Sequence, residues 1–151
     1  MKPDEFIAAI SPAAKASAAT TKIPASFTVA EAALESGWGS SQLAQEGKNL
    51  FGVKADRAWT GQTLTMRTRE FIHGQWVLVP AQWRKYADWL GCLEDHAAFL
   101  LDNPRYKAAF EHADGEGFAH VVAAAGYATD PDYANKVCSV ITSHGLATLD
   151  V

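Results

Sequence analysis

The chain is short of cysteine, of basic charge and of long apolar runs, and each shortage closes off a class of protein. Its 151 residues carry two cysteines, Cys92 and Cys138. That is too few for a disulfide-stapled mini-protein, and their spacing is not that of a zinc site. Lysine and arginine number 13 against 17 aspartates and glutamates, for a formal net charge of −4. A sequence-independent nucleic-acid binder needs a basic balance or a dense basic stripe, so no nucleic-acid partner is expected. The longest apolar stretches, at 76–81 and 121–125, fall far below the roughly 18 residues of a spanning helix, and no membrane insertion is expected. The start, Met1-Lys2-Pro3-Asp4-Glu5-Phe6, puts two acids where a secretory signal needs a basic start and an apolar run. Any role outside the cytoplasm would then depend on release or on delivery by another system. The 5 histidines are scattered and make no His-Glu-x-x-His motif, so neither a metal nor a cofactor is expected. Gly37-Trp-Gly-Ser-Ser lacks the Gly-x-Ser-x-Gly spacing of a serine nucleophile elbow. A cysteine nucleophile would need exposure beside a histidine, whereas both cysteines sit in apolar helical patterns that predict buried, inert thiols.

What is present suffices for a core: 48% of the residues are apolar and 20% charged. Length and composition predict one domain over 1–151, and a monomer is expected. Residues 3–20 read as a helix with Phe6, Ile7, Ile10 and Ala14 on one stripe, and with Pro12 as a kink or break. A second helix starts at Pro24, turns Phe27, Ala30 and Leu34 inward, and stops near Gly37. A short helix over 41–46 follows. At 59–84 the period changes to two: Leu64, Met66, Thr68, Glu70 and Ile72 share one strand face. His73-Gly74 reads as a hairpin turn, with a return strand from Trp76 ended by Pro80. Helical spacing resumes at Trp89, Leu90, Leu93, Ala97, Leu100 and Leu101. Shorter helices follow at 105–112 and 117–125. A last helix has Asp130 as N-cap, Pro131 in its first position, and Tyr133, Val137, Val140 and Ile141 inward. Helices, one hairpin, then helices make a mostly α, α+β domain with a small β lobe.

Glu35 falls in the last turn of an otherwise apolar helix, between Leu34 and Trp38. The negative end of the helix dipole and apolar walls such as Trp38 both disfavour its ionisation. A carboxyl with a raised pKa suits a general acid near neutral pH, although a solvated helix-end residue fits the position alone. Glu31, one turn earlier on the same face, reads as a cleft residue, a partner acid or a hydrogen-bonded side chain.

Three segments then resemble a known family: Glu35-Ser-Gly-Trp-Gly-Ser-Ser, Asn49-Leu-Phe-Gly-Val-Lys54, and Tyr127-Ala-Thr-Asp-Pro-Asp-Tyr-Ala-Asn-Lys136. The hairpin stretch Thr68-Arg-Glu-Phe-Ile-His-Gly74 and Asn103-Pro-Arg-Tyr106 match as well. In this order and spacing they resemble glycoside hydrolase family 73, the glucosaminidases that include flagellar rod-associated peptidoglycan hydrolases and bacterial autolysins. The resemblance covers about residues 25–145. It implies a lysozyme-like helical scaffold and an endo-β-N-acetylglucosaminidase that cuts after N-acetylglucosamine in peptidoglycan glycan strands. By the same resemblance Glu35 is the acid, Glu70 a second carboxylate on the β lobe, and Tyr127 a catalytic cleft tyrosine. Trp38, Asn49, Phe51, Asp130 and Tyr133 are the expected substrate contacts.

Several alternatives stay open beside that reading. Glu70 fits a strand charge paired with Arg67, Arg69 or Arg84 as well as a catalytic group. The substrate's 2-acetamido group could replace a second carboxylate. Asp130 has a structural explanation as a cap, and the tyrosines one as core residues with a polar tip. Trp59 and Trp76 are further sugar-platform candidates, while Trp89 reads as core. A muramidase or lytic transglycosylase also places Glu-Ser at a helix end. A non-catalytic wall-binding module is the remaining class.

Overall fold

Prolines and glycines punctuate this chain, and the helix ends follow them closely. The computed structural model describes residues 1–151. Helix α1 spans Pro3–Thr21, α2 Ala25–Ser36 and α3 Gln42–Glu46. Strands β1, Thr63–Ile72, and β2, Gln75–Arg84, form an antiparallel hairpin. Helix α4, Trp89–Asp102, leads through a 3-10 helix at Pro104–Glu111 to α5, Gly115–Ala124. Helix α6, Tyr133–Ser143, and a short 3-10 helix at Leu146–Asp150 end the fold. None of these helices is long and apolar enough to cross a membrane.

Helix α2 is the axis of the molecule. Ten of its residues are buried, from Ala25 through Ala33 together with Ser36. The sequence pattern predicts one inward stripe, whereas α1, α5, α6 and the last 3-10 helix enclose α2 on several sides. A helix that is apolar all round is a buried helix. Leu34, expected inward, is instead half-buried and faces the cleft described below. The N-terminus of α2 has no side-chain cap of its own, because Pro24 occupies the cap position. Asp150 supplies that function from the far end of the chain: Ser26 donates through its N–H (2.9 Å) and its Oγ (2.5 Å) to the Asp150 carboxylate. A carboxylate there also meets the positive end of the helix dipole.

The first helix differs from expectation at Pro12, which neither splits nor ends it. Pro12 and Ala8 both lie on the exposed side, so the carbonyl that loses its N–H partner can be solvated. In α4 the inward face consists of Cys92, Leu93, His96, Ala97 and Leu100. Leu90 and Leu101, assigned to it by spacing, are exposed. Helix α6 begins at Tyr133 rather than at Pro131, and Asp130 does not cap it: its Oδ1 accepts from the Asp132 N–H at 2.8 Å.

The hairpin turn is His73-Gly74, with φ of 52° and 78°. Two consecutive positive values match the right-handed twist of the flanking strands. Strand β2 continues past Pro80 to Arg84, against expectation. In a two-stranded ribbon every other N–H points away from the partner strand, so a proline opposite Arg67 need not remove a ladder bond. Leu64, Met66, Thr68 and Glu70 form the half-buried face, and Ile72 is exposed at the tip. A strap at 53–55 ties β2 to the helical body: Arg84 donates to the Val53 carbonyl (3.1 Å), and Ala55 to that of Gln82 (2.9 Å). Asn49 staples the strap. Its Nδ2 donates to the Val53 and Arg84 carbonyls, both at 2.9 Å, and its Oδ1 accepts from the Val53 N–H at 3.1 Å.

Candidate active site

Glu35 owes its place to the way α2 ends. Gly37, Trp38 and Gly39 adopt φ of 58°, 58° and 75° in succession, which stops the helix within one residue. Ser36 locks that turn: its hydroxyl donates to the Ala32 carbonyl (2.5 Å) and accepts from the Gly39 N–H (2.8 Å). Glycine at two of the three positions limits the cost of left-handed backbone, which Trp38 alone bears with a side chain. At Gly39 a Cβ would also come within 2.9 Å of Phe6. The last helical turn therefore projects Glu35 into a cleft of about 680 Å³.

That cleft runs between the helical body and the strap. Its walls include Glu31, Leu34 and Glu35 of α2, Phe51, Val53 and Lys54 of the strap region, Asp95, His96 and Phe99 of α4, and the stretch from Tyr127 to Asp130 with Tyr133 and Lys136. Glu35 is exposed by surface area, where the sequence predicts a buried carboxyl. Even so, partial desolvation inside the cleft raises its pKa. Trp38 is not the wall that does this. It packs edge-on against Phe6, ring centroids 6.1 Å apart, and lies 4.7 Å from the His144 ring.

Behind Glu35 sits a buried polar cluster. Glu31 is 2% exposed, and burial pushes its carboxyl up to about 8, with the nearby Glu35 charge adding to the rise and the Tyr127 and Tyr133 hydroxyls opposing it. The Tyr127 hydroxyl donates to Glu31 Oε1. The same hydroxyl lies 2.6 Å from His96 Nε2. Burial holds His96 down to about 4, against the pull of Asp95, so the imidazole is neutral near pH 7. Its ring stacks on Phe51 at a centroid distance of 3.9 Å.

The other carboxylates on the cleft wall are engaged. Asp95 accepts from Arg84 (2.8 Å) and from the Tyr86 hydroxyl (2.6 Å). Asp130 pairs with Lys136 at 2.6 Å, and Asp56 with Arg84 at 3.3 Å. Glu70 is outside the cleft lining. It pairs with Lys54, a partner missing from the sequence-level alternatives, at 3.5 Å, with 42% of its side chain exposed.

Of the expected site residues, Glu35, Phe51, Tyr127, Asp130 and Tyr133 line one cleft; Trp38, Asn49 and Glu70 do not. Asn49 is buried, and its amide is spent on the strap. Trp76 stands on the hairpin tip beside Phe71, 63% exposed. Trp59 packs against Tyr86 and under Arg84. Cys138 also departs from expectation: it is half-buried, with Sγ 3.7 Å from His120 Nε2. Partial burial and the charges of Glu116 and Asp114 raise its thiol pKa, the reverse of an activated nucleophile. Cys92 is fully buried, as expected. Sequence reasoning missed His96, Phe99, Asp95 and Arg84. The one available signal for His96 was its place four residues before the apolar Leu100 and four after Cys92, on the inward face of α4.

A family model described as mannosyl-glycoprotein endo-beta-N-acetylglucosaminidase matches residues 11–146. The chain is 39% identical over 142 residues to the peptidoglycan hydrolase FlgJ of Vibrio parahaemolyticus, covering 91% of this chain and 46% of that protein. It spans about half the length of the curated relatives it matches. Among solved structures, the catalytic domain of the Listeria monocytogenes autolysin Auto superposes with a TM-score of 0.88 at 31% identity, over 97% of this chain and 86% of that one. A C-terminally truncated glycoside hydrolase domain of Salmonella typhimurium FlgJ gives 0.85 at 38% identity, over 95% and 98%.

Proposed function

The chain belongs to glycoside hydrolase family 73, the glucosaminidases, and from that membership we propose that it hydrolyses the β-1,4 bond after N-acetylglucosamine in bacterial cell-wall glycan, with Glu35 as general acid. The observation that carries this reading is the position of Glu35: a carboxyl at the end of a buried helix, lining a cleft that raises its pKa. Cleavage builds negative charge on the leaving oxygen and positive charge on the sugar ring. A carboxyl that keeps its proton longer than an ordinary glutamate can donate it to that oxygen. Phe51 and Phe99 offer apolar surface to sugar faces, and the Tyr127, Asp130 and Tyr133 wall offers polar contacts. The peptidoglycan hydrolase FlgJ and the autolysin Auto support a wall glycan as the substrate. The work would then be done at the cell wall.

The test is the chemistry of the new chain ends. Purified sacculi digested with this protein should yield muropeptides ending in reducing N-acetylglucosamine. Ends in N-acetylmuramic acid or its anhydro form would make it a muramidase or a transglycosylase, and intact sacculi would leave a binding module.

For the second group we propose Glu70, brought to the cleft edge by the hairpin. In support, its partner Lys54 lines the cleft, and the hairpin makes no broad contact with any helix. Glu70→Gln should then lower the rate of wall hydrolysis by about 10²-fold or more, the usual weight of a general base. A rate within a few-fold of wild type would hand the role to the substrate's 2-acetamido oxygen. That second reading is favoured by the engagement of Asp56, Asp95 and Asp130 with cations.

A further inference from the structure

Charge is unevenly spread over this molecule. Of the 13 lysines and arginines, Arg67, Arg69 and Arg84 lie on the two hairpin strands; of the 17 acids only Glu70 does. Arg84 is held by Asp56 and Asp95, and Glu70 by Lys54. Arg67 and Arg69 enter none of the ion pairs. They share the outer face of β1 with Phe71. Across the ribbon Arg67 stands opposite Pro80, Arg69 opposite Leu78, and Phe71 opposite Trp76. All six side chains are exposed, Phe71 and Leu78 by 61% and Trp76 by 63%.

Folding does not account for this face. The Phe71–Trp76 pair, ring centroids 5.2 Å apart, strengthens the hairpin tip as cross-strand aromatic pairs do. That leaves Leu78 and both guanidinium groups unexplained, since the hairpin makes no broad contact with any helix. Exposed apolar side chains grouped with unpaired charge of one sign mark a surface that meets a partner. Arg69 lies over the Trp76 ring at 5.2 Å, so cation and aromatic plane form one platform. Its complement is an anionic ligand with apolar parts. The platform also looks away from the cleft: Lys54, which lines the cleft, meets Glu70 and Trp83 on the other side of the ribbon. A ligand on the outer face is therefore not the glycan segment being cut.

We propose that the outer face of the hairpin is a second wall-binding surface, on which Arg67 and Arg69 pair with free carboxylates of the peptide stems while Phe71, Trp76 and Leu78 cover apolar parts of the same strand. This rests on the reading of the protein as a cell-wall glycosidase and extends it to the peptide-bearing part of the substrate. Charge complementarity selects this occupant. A guanidinium presents two parallel N–H donors that match a carboxylate. A molecule of net charge −4 is repelled as a whole by an anionic wall, and an unneutralised basic face orients its approach. A lipid surface calls for an apolar face free to enter the bilayer. Here a guanidinium covers the tryptophan ring, and the row runs on down the ribbon through Arg67 and Thr65. A second copy docked symmetrically on this face would set the same arginines against each other.

Binding to sacculi, measured on ice before turbidity falls, tests this without reference to which residue is the acid. The combined variant Arg67→Gln, Arg69→Gln, Trp76→Ala should bind native sacculi about tenfold more weakly, the weight of two exposed ion pairs and one aromatic contact. Wild type should lose a similar factor on sacculi whose carboxylates have been converted to amides, and there the variant should match it. Added salt should weaken wild-type binding more than that of the variant. During lysis the apparent KM for sacculi should rise by the same factor with kcat unchanged, because the cleft is untouched. Arg67→Lys with Arg69→Lys keeps both charges and should retain most of the affinity. Equal affinity of wild type and combined variant for native sacculi would overturn the proposal, as would wild-type binding indifferent to amidation. Binding to vesicles of phosphatidylglycerol and phosphatidylcholine that the combined variant loses would give the face to a lipid surface instead. A dimer in solution that the variant loses would give it to a second copy; either result overturns the proposal. The glycosidase reading fails separately, on the chemistry of the new chain ends, whereas binding is scored whether or not sacculi are cut.

Discussion

Glu35→Gln should slow the lysis of purified cell walls by about 10²–10⁴-fold, the range expected when a positioned general acid is removed. Binding to intact sacculi should change little. Glutamine preserves the shape of the side chain and the turn that carries it, because that turn is held by Ser36, Gly37 and Gly39 and not by the carboxyl. A turbidity assay together with a pull-down on sacculi reads both quantities. Undiminished lysis would remove Glu35 from the mechanism. Combined loss of lysis and binding would indicate a damaged cleft, which circular dichroism of the variant would reveal. The pH dependence has a defined sign. In the proposed role Glu35 can donate only while protonated, and its pKa is raised by partial desolvation, so wild-type activity should persist above the range of an ordinary glutamate and decline as this group ionises.

Gly115→Val should be strongly destabilising, for a reason unrelated to chemistry. A Cβ at Gly115 would fall 2.1 Å from Ser26 Oγ, 2.9 Å from the Phe27 nitrogen and 3.0 Å from Ile141 Cδ1. Ser26 cannot rotate away without giving up its 2.5 Å bond to Asp150, which caps α2. Relief requires α5 to move off the central helix. Overpacking of this kind typically costs about 1–3 kcal/mol, and a branched side chain against fixed backbone should lie at or above the upper end. At this chain length that corresponds to a fall in Tm of roughly 10 °C, measurable by thermal unfolding. Gly145→Ala is the control: Gly145 has a φ of +62° and no atom within 4 Å of the added Cβ. It should cost about 1 kcal/mol, from backbone strain alone. Equal effects at the two positions would mean that the close approach of α5 to α2 is not what requires glycine.

Much of the architecture was legible in advance because its signals are local. Pro24 and Gly37 bracket α2, His73-Gly74 turns the hairpin, and the period-two pattern gave the half-buried strand face correctly through Glu70. The differences arose where the surroundings of a residue overrode a local rule. Pro12 lies on a face open to water, Pro80 lies in a ribbon with an open edge, and Asp130 turned toward Lys136 instead of capping a helix. Trp38 and Asn49 stand in the motifs that carry the family resemblance, yet their side chains serve the helix-end packing and the strap.

From its sequence alone this chain determined its family, its helical scaffold with one hairpin, and the helix end that presents Glu35, because motif spacing, capping and periodicity are properties of neighbouring residues. Only the tertiary structure decided the environment behind that carboxyl. Glu31 and Tyr127 are 96 positions apart, and His96 and Tyr133 reach them from two further segments. Protonation states inside the cluster follow from which groups share a dry space. That sharing is created when side chains of α2, α4, α6 and the segment before α6 meet in one place, and no spacing along the chain encodes it.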